Sequence, residues 1–137
     1  MTATDTGLAA EYAAIFAYGA AAVHLDGDAR EQAEALDSEH RSRRDALLDH
    51  YAAAGAEAPA PAAGYDVGVV ADAAAAQELL TAVELDVTAT WRAGAAATDP
   101  EERRLCLDMY AASAVSLARW RLAIGQAVAD PWPGRPQ

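Results

Sequence analysis

Apolar and small residues recur at three- and four-residue steps through four blocks of the chain, the spacing that lines one face of an α-helix. The first block holds Leu8, Ile15, Tyr18, Ala22 and Leu25 and closes at Asp26-Gly27, which predicts helix 1 over about 7–25. Asp28 then stands three residues before Glu31, a capping-box variant with aspartate as the cap, and opens the pattern Ala33, Leu36, His40, Leu47, Tyr51. Helix 2 is predicted over about 29–54, ending at Gly55. Helical spacing resumes after Asp72 with Leu80, Val83, Val87 and Trp91, predicting helix 3 over about 72–97. Asp99-Pro100-Glu101-Glu102 supplies a cap, a proline at the first helical position and two acids where the helix dipole favours them. Helix 4 follows over about 100–127 with Leu105, Met109, Ser113, Leu117, Trp120 and Ile124, and Asp130-Pro131-Trp132-Pro133 stops it.

The breaks between blocks set the topology. Short breaks after helices 1 and 3 make each pair antiparallel neighbours. The one substantial linker, Ala56 to Asp66, carries Pro59, Pro61 and Gly64, which resist helix on both sides. A helix of about 25 residues is roughly 38 Å long, and about 17 linking residues reach roughly 55 Å when extended. The linker can therefore cross the bundle and set helix 3 parallel to helix 2, whereas a linker folded back on itself gives an up-down-up-down bundle. The expectation is an all-α four-helix bundle with a long crossover between helices 2 and 3, filling one domain over residues 1–137.

Composition sharpens this picture. Of 137 residues 39 are alanine, none is lysine and one is phenylalanine, a balance that favours helix over sheet and leaves a shallow interior short of large side chains. Such a bundle buries little large apolar surface per residue, so a homodimer that covers Trp or Tyr side chains is expected to add stability. The formal net charge of −11 repels nucleic-acid phosphates and anionic lipid, so neither is expected as a partner. A single cysteine, Cys106, excludes an intramolecular disulfide framework and any cysteine-rich zinc module. The stretch from Leu8 to Leu25 is long enough to span a bilayer, but its Glu11 would cost roughly 2.5–3.5 kcal/mol there and alanine returns almost nothing, so no membrane span is expected. The first residues lack the basic region and leucine-rich run of a secretory signal, and a cytoplasmic location is expected.

Three polar residues fall at one depth. Counted outward from Asp26-Gly27, Glu11 and His40 both sit roughly 20 Å along their helices and can face each other across the hairpin. Glu84 lies at a similar distance from the Thr98-Asp99 turn and shares a stripe with Leu80, Val87 and Trp91, which points its carboxylate inward. Asp37 precedes His40 by three residues, the spacing that brings two ligands onto one helix face. Inward carboxylates and an imidazole suit one Fe, Mn or Zn ion held by Glu11, His40, Glu84 and Asp37. A di-metal carboxylate bundle, however, needs a Glu-x-x-His pair from each of two helices, and helix 4 offers Ser113-Ala-Val-Ser116 at the matching depth. The same residues read equally as a buried hydrogen-bonded cluster joined by Arg43 or Arg44, in which opposite charges offset the cost of burial and favour the protonated form of His40. His24 and His50 lie near helix C-termini, where the dipole favours a cation. Tyr12, Tyr18, Tyr110, Trp91 and Trp120 supply core bulk, and Cys106 reads as a buried thiol whose pKa an N-terminal helix position would lower slightly.

The segment Ala10-Glu11-Tyr12-Ala13-Ala14-Ile15-Phe16-Ala17-Tyr18-Gly19, the run His40-Arg41-x-Arg43-Arg44-Asp45, the pair Glu84-Leu85, and Trp120 with Pro131-Trp132-Pro133-Gly134 together resemble a small ferritin-like domain family of unknown function. The resemblance spans nearly the whole chain and implies a ferritin-like four-helix bundle, with no established activity or substrate. The metal ligands of the wider ferritin-like superfamily would map by type onto Glu11, His40 and Glu84, but the missing Glu-x-x-His of helix 4 argues against ferroxidase or oxygenase chemistry. Two readings follow. One is a non-catalytic binding or assembly module with a polar core cluster; the other is a metal-binding redox or metal-handling protein with a degenerate di-metal site.

Overall fold

Thr2 starts the first helix. Its hydroxyl accepts from the Asp5 backbone N–H at 3.0 Å while the Asp5 carboxylate accepts from the Thr2 N–H at 2.8 Å, a reciprocal capping box. In the computed structural model, which describes residues 1–136, α1 consequently spans Ala3–Ala22 and begins well before the first apolar residue of its periodic pattern. It stops short of Leu25, which turns inward from the connecting turn as part of the core. α2 (Gly27–Ala53) opens with Gly27 at φ +53°, a left-handed conformation that glycine adopts without strain. That turn moves the helix start upstream of Asp28. The Asp28–Glu31 capping box therefore does not form, and Asp28 sits instead in the first turn, where the dipole favours its charge.

α3 (Ala73–Ala93) is capped by Asp72, whose carboxylate accepts from the Ala75 N–H at 2.8 Å. A short 3-10 turn, Gly94–Ala96, follows and occupies the tail of the predicted third helix. α4 (Pro100–Ala123) begins as its sequence predicts, with the Asp99 carboxylate accepting from the Glu102 N–H at 2.8 Å and Pro100 at the first helical position. It ends a turn earlier than residue 127. Gly125 takes φ +73° and the Gln126 N–H returns to the Arg121 carbonyl at 2.8 Å, which closes the helix.

Two apolar clusters fix how the rods run. One gathers Tyr18, Ala21 and Leu25 from the end of α1, Ala33 and Leu36 from the start of α2, Ala76 and Leu80 from the start of α3, and Trp120 from the end of α4. The other gathers Leu8, Leu47, Tyr51, Val87, Trp91 and Cys106 from the opposite ends of the same helices. Helices α2 and α3 therefore run parallel, and residues 54–72 carry the chain back along the length of the bundle, the crossover that the linker length predicts. The tilted packing of Tyr65 against Phe16, ring centroids 5.4 Å apart, fastens this crossover to α1. α1 packs between α2 and α3, and α4 lies chiefly against α3.

Close approach depends on small residues. A Cβ at Gly7 would fall inside the Trp91 ring, so α1 and α3 meet at a distance that only glycine permits there. Tyr18, Trp91 and Trp120 are all enclosed within the single chain, so they are not the surface that a dimer would cover; Trp132, 60% exposed, is the exception among the tryptophans. Among the described residues no helix is long and apolar enough to cross a membrane.

Candidate functional site

Between the two apolar clusters the interior turns polar. Glu11 from α1, His40 from α2 and Glu84 from α3 are each 0–1% exposed and meet there, as their matched depths along the helices predict. The ring of His40 bridges the two acids, with Nδ1 2.5 Å from Glu11 Oε2 and Nε2 2.7 Å from Glu84 Oε1. Where both carboxylates are ionised they can only accept, so both ring nitrogens donate and the bridge is an imidazolium. Burial alone would push the His40 pKa down; hydrogen bonds to Glu11 and Glu84, reinforced by their charges, overcome it and raise the pKa to about 9.

A second layer of side chains holds the acids. The Trp91 indole N–H donates to Glu11 Oε1 at 2.9 Å, and the Tyr18 hydroxyl donates to Glu84 Oε1 at 2.6 Å. Trp120 in turn donates to the Tyr18 oxygen at 2.7 Å. Burial, followed by the charge of Glu84, pushes the Tyr18 pKa far above its ordinary value, so the phenol keeps its proton and stays a donor. These aromatic residues supply core bulk as expected, but their polar tips also orient the carboxylates. Glu84 Oε2 is the exception: it is buried with no hydrogen-bond partner.

Arg43 completes the charge balance. Its Nη1 lies 3.8 Å from Glu11 Oε1, and its guanidinium donates to Ser113 Oγ at 3.4 Å and Ser116 Oγ at 3.3 Å on α4. The outer edge of the guanidinium pairs with Glu39 at 3.5 Å, which also takes Arg119 at 3.3 Å. Two acids thus face two cations in the interior, the arrangement that makes buried charge tolerable. Of the two arginines that the sequence nominates, Arg43 joins the cluster, while Arg44 turns to Asp45 at 2.8 Å. Asp37 does not join it either. Three residues before His40 it lies about 60° around the helix; its Oδ2 pairs with Arg41 at 3.1 Å, while its Oδ1 is buried without a hydrogen-bond partner.

As arranged, His40 has no ring nitrogen free for a metal ion. A histidine ligand needs a free ring lone pair, and both nitrogens of His40 are taken by carboxylates. Among the described residues no group of three or more His, Cys, Asp or Glu side chains is set to hold a metal. The α4 positions where a di-metal bundle would place Glu and His carry Ser113 and Ser116, and both hydroxyls serve the Arg43 cation.

Cys106, fully buried against Gly94, behaves oppositely to its position near a helix start: burial, then Glu102, push its thiol pKa up. Tyr51, which sequence patterning places in the core, donates its hydroxyl to Asp5 and holds that carboxyl below its usual range.

A crystal structure of a conserved hypothetical protein from Mycobacterium tuberculosis superposes with a TM-score of 0.82 at 30% identity, covering 98% of this chain and 93% of that one. A structure described as ferritin-like, diiron-carboxylate proteins from Bacillus anthracis superposes with a TM-score of 0.72 at 18% identity, covering 89% of this chain and 92% of that one. At that identity the likeness speaks for the fold. No curated protein shows significant similarity to the sequence. Residues 3–137 match the family model described as a domain of unknown function, DUF4439. With four helices, a parallel α2–α3 pair and a ferritin-like arrangement, the chain belongs to the DUF4439 family.

Proposed function

We propose that this domain is a non-catalytic binding or assembly module in which the Glu11–His40–Glu84–Arg43 cluster is structural. The observation that supports this is the His40 bridge: with Nδ1 and Nε2 each within hydrogen-bond distance of a buried carboxylate, the cluster is closed upon itself. Two protein cations neutralise the acids, the role that metal ions play in carboxylate bundles. The cluster specifies which helix faces meet, since any other register leaves a buried charge without its partner.

One observation favours a second reading. The orphaned Oε2 of Glu84 is a buried acceptor with nothing to accept, and one Fe, Mn or Zn ion drawn to Glu11, His40 and Glu84 would give it a partner. Binding would require the imidazolium to lose a proton, so affinity would rise steeply with pH. Elemental analysis of protein purified without chelator, together with calorimetric titration of Mn(II), Fe(II) and Zn(II), separates the two. The structural reading expects substoichiometric metal that His40→Ala leaves unchanged. Near one equivalent, lost in that variant, would overturn it.

A further inference from the structure

The buried side of α4 is defined by Cys106, Ser113, Ser116, Leu117 and Trp120. On the opposite side, where a helix on the rim of a bundle ordinarily presents charge, lie Leu107, Ala111, Val115, Ala118 and Leu122. Leu107, Val115 and Leu122 are 44%, 53% and 71% exposed. From Met109 to Ala118 the helix carries no charged residue, in a chain that is 23% charged. α4 is therefore apolar on two faces, and the bundle uses one of them.

We infer that this outer face of α4 is the contact through which two copies of the chain associate, antiparallel and about a two-fold axis crossing the helix between Ala114 and Val115. The pattern of the stripe carries the choice of partner. An antiparallel two-fold pairing sets each residue opposite one equally far beyond the axis, and the ends of the stripe read the same in both directions, with Val115 meeting Ala114 at the axis. Leu107 falls opposite Leu122, Ala111 opposite Ala118, and Ala114 opposite Val115. Leucines close the two ends and alanines let the backbones approach in between. Charge agrees with the same register. Asp108 and Arg119 are eleven residues, three helical turns, apart and so lie on one flank of the stripe. In the pair Asp108 of one copy comes about two residues along from Arg119 of the other, which is then shared between that acid and the Glu39 it pairs with at 3.3 Å in its own chain.

The contact is one helix against one helix, smaller than a standard obligate interface, so the association is expected to be weak and reversible. It gives physical content to the assembly reading and rests on that reading. It uses none of the core cluster, so a metal found there would leave it standing.

Sedimentation equilibrium and light scattering from micromolar to millimolar concentration test it. The full chain is expected to move reversibly from monomer to dimer. Val115→Glu brings two like charges together at the axis and is expected to raise the dissociation constant at least about tenfold. Position 115 is exposed in the single chain, so helicity and unfolding midpoint should not change. Asp108→Arg and Arg119→Glu should each weaken the dimer about threefold, and the double variant should regain it. Leu107→Cys is expected to form a disulfide with Leu122→Cys and not with itself. A chain that stays monomeric throughout would overturn the proposal. So would a Val115→Glu variant as dimeric as its parent, or self-linking of Leu107→Cys.

Discussion

Raising the pH should weaken this fold in a window that the His40 bridge sets. In the unfolded chain an imidazole ionises near 6.5, whereas in the folded chain the two carboxylates hold its proton until about 9. A group whose folded pKa is the higher contributes stability that is complete below the unfolded value and disappears as pH climbs to the folded one. The gap corresponds to about 3 kcal/mol, and His40 is too deeply buried for solvent to screen much of it. The groups that face the ring are Glu11 and Glu84, which retain the proton, and Arg43 beyond Glu11, which opposes it. For a domain of this length that loss amounts to a fall of about 10 °C in unfolding midpoint between pH 6.5 and 9. Thermal and urea unfolding followed by circular dichroism at half-unit pH steps measure it. Cys106 adds a loss at the alkaline end, since its thiol pKa is also raised on folding. Comparison in a Cys106→Ser background with His40→Gln isolates the histidine. Stability that is constant or rises from pH 6.5 to 9, or that follows the same curve in His40→Gln, would refute the imidazolium assignment.

Three further substitutions probe separate links. Gly7→Ala gains about 1 kcal/mol of helix propensity but drives a methyl into the Trp91 ring, an overpacking of about 1–3 kcal/mol. A net loss in urea unfolding with an altered tryptophan emission spectrum is expected. Tyr18→Phe removes the hydroxyl that joins Trp120 to Glu84, leaving a buried indole N–H unpaired at about 1–3 kcal/mol; chemical denaturation measures it. Asp99→Ala removes the α4 cap and should cost about 1 kcal/mol by the same method, with the remaining helices intact.

Much of this fold was legible in the sequence wherever a local signal agreed with the apolar period. The Asp99-Pro100 start of α4 and the long second connection are examples, and the latter set α2 and α3 parallel. Helix ends were misplaced where a cap or a left-handed glycine overrode the period. Thr2 and Asp5 moved the start of α1 ahead of Leu8, and Gly27 displaced the expected Asp28 box. A Thr-x-x-Asp signal was present at the N-terminus but stood ahead of Leu8, where the apolar period begins. Depth counting placed Glu11, His40 and Glu84 at one level because straight rods preserve distance from a turn. It could not separate Arg43 from Arg44, one residue and 100° apart, nor reveal that Asp37 would find Arg41 before it found the interior. The donor roles of Trp91 and Tyr18 were hidden as well. Their spacing fits plain packing, and only side-chain direction shows which acid each one serves.

The crossover also divides the interior charges between the two halves of the polypeptide. Protease nicking within residues 54–72 would leave one hairpin holding Glu11, His40 and Arg43, a surplus positive charge, and another holding Glu84, a surplus negative one. Each fragment can rebury its ion only against the other, so the severed pieces are complementary and the domain is suited to use as a split reporter.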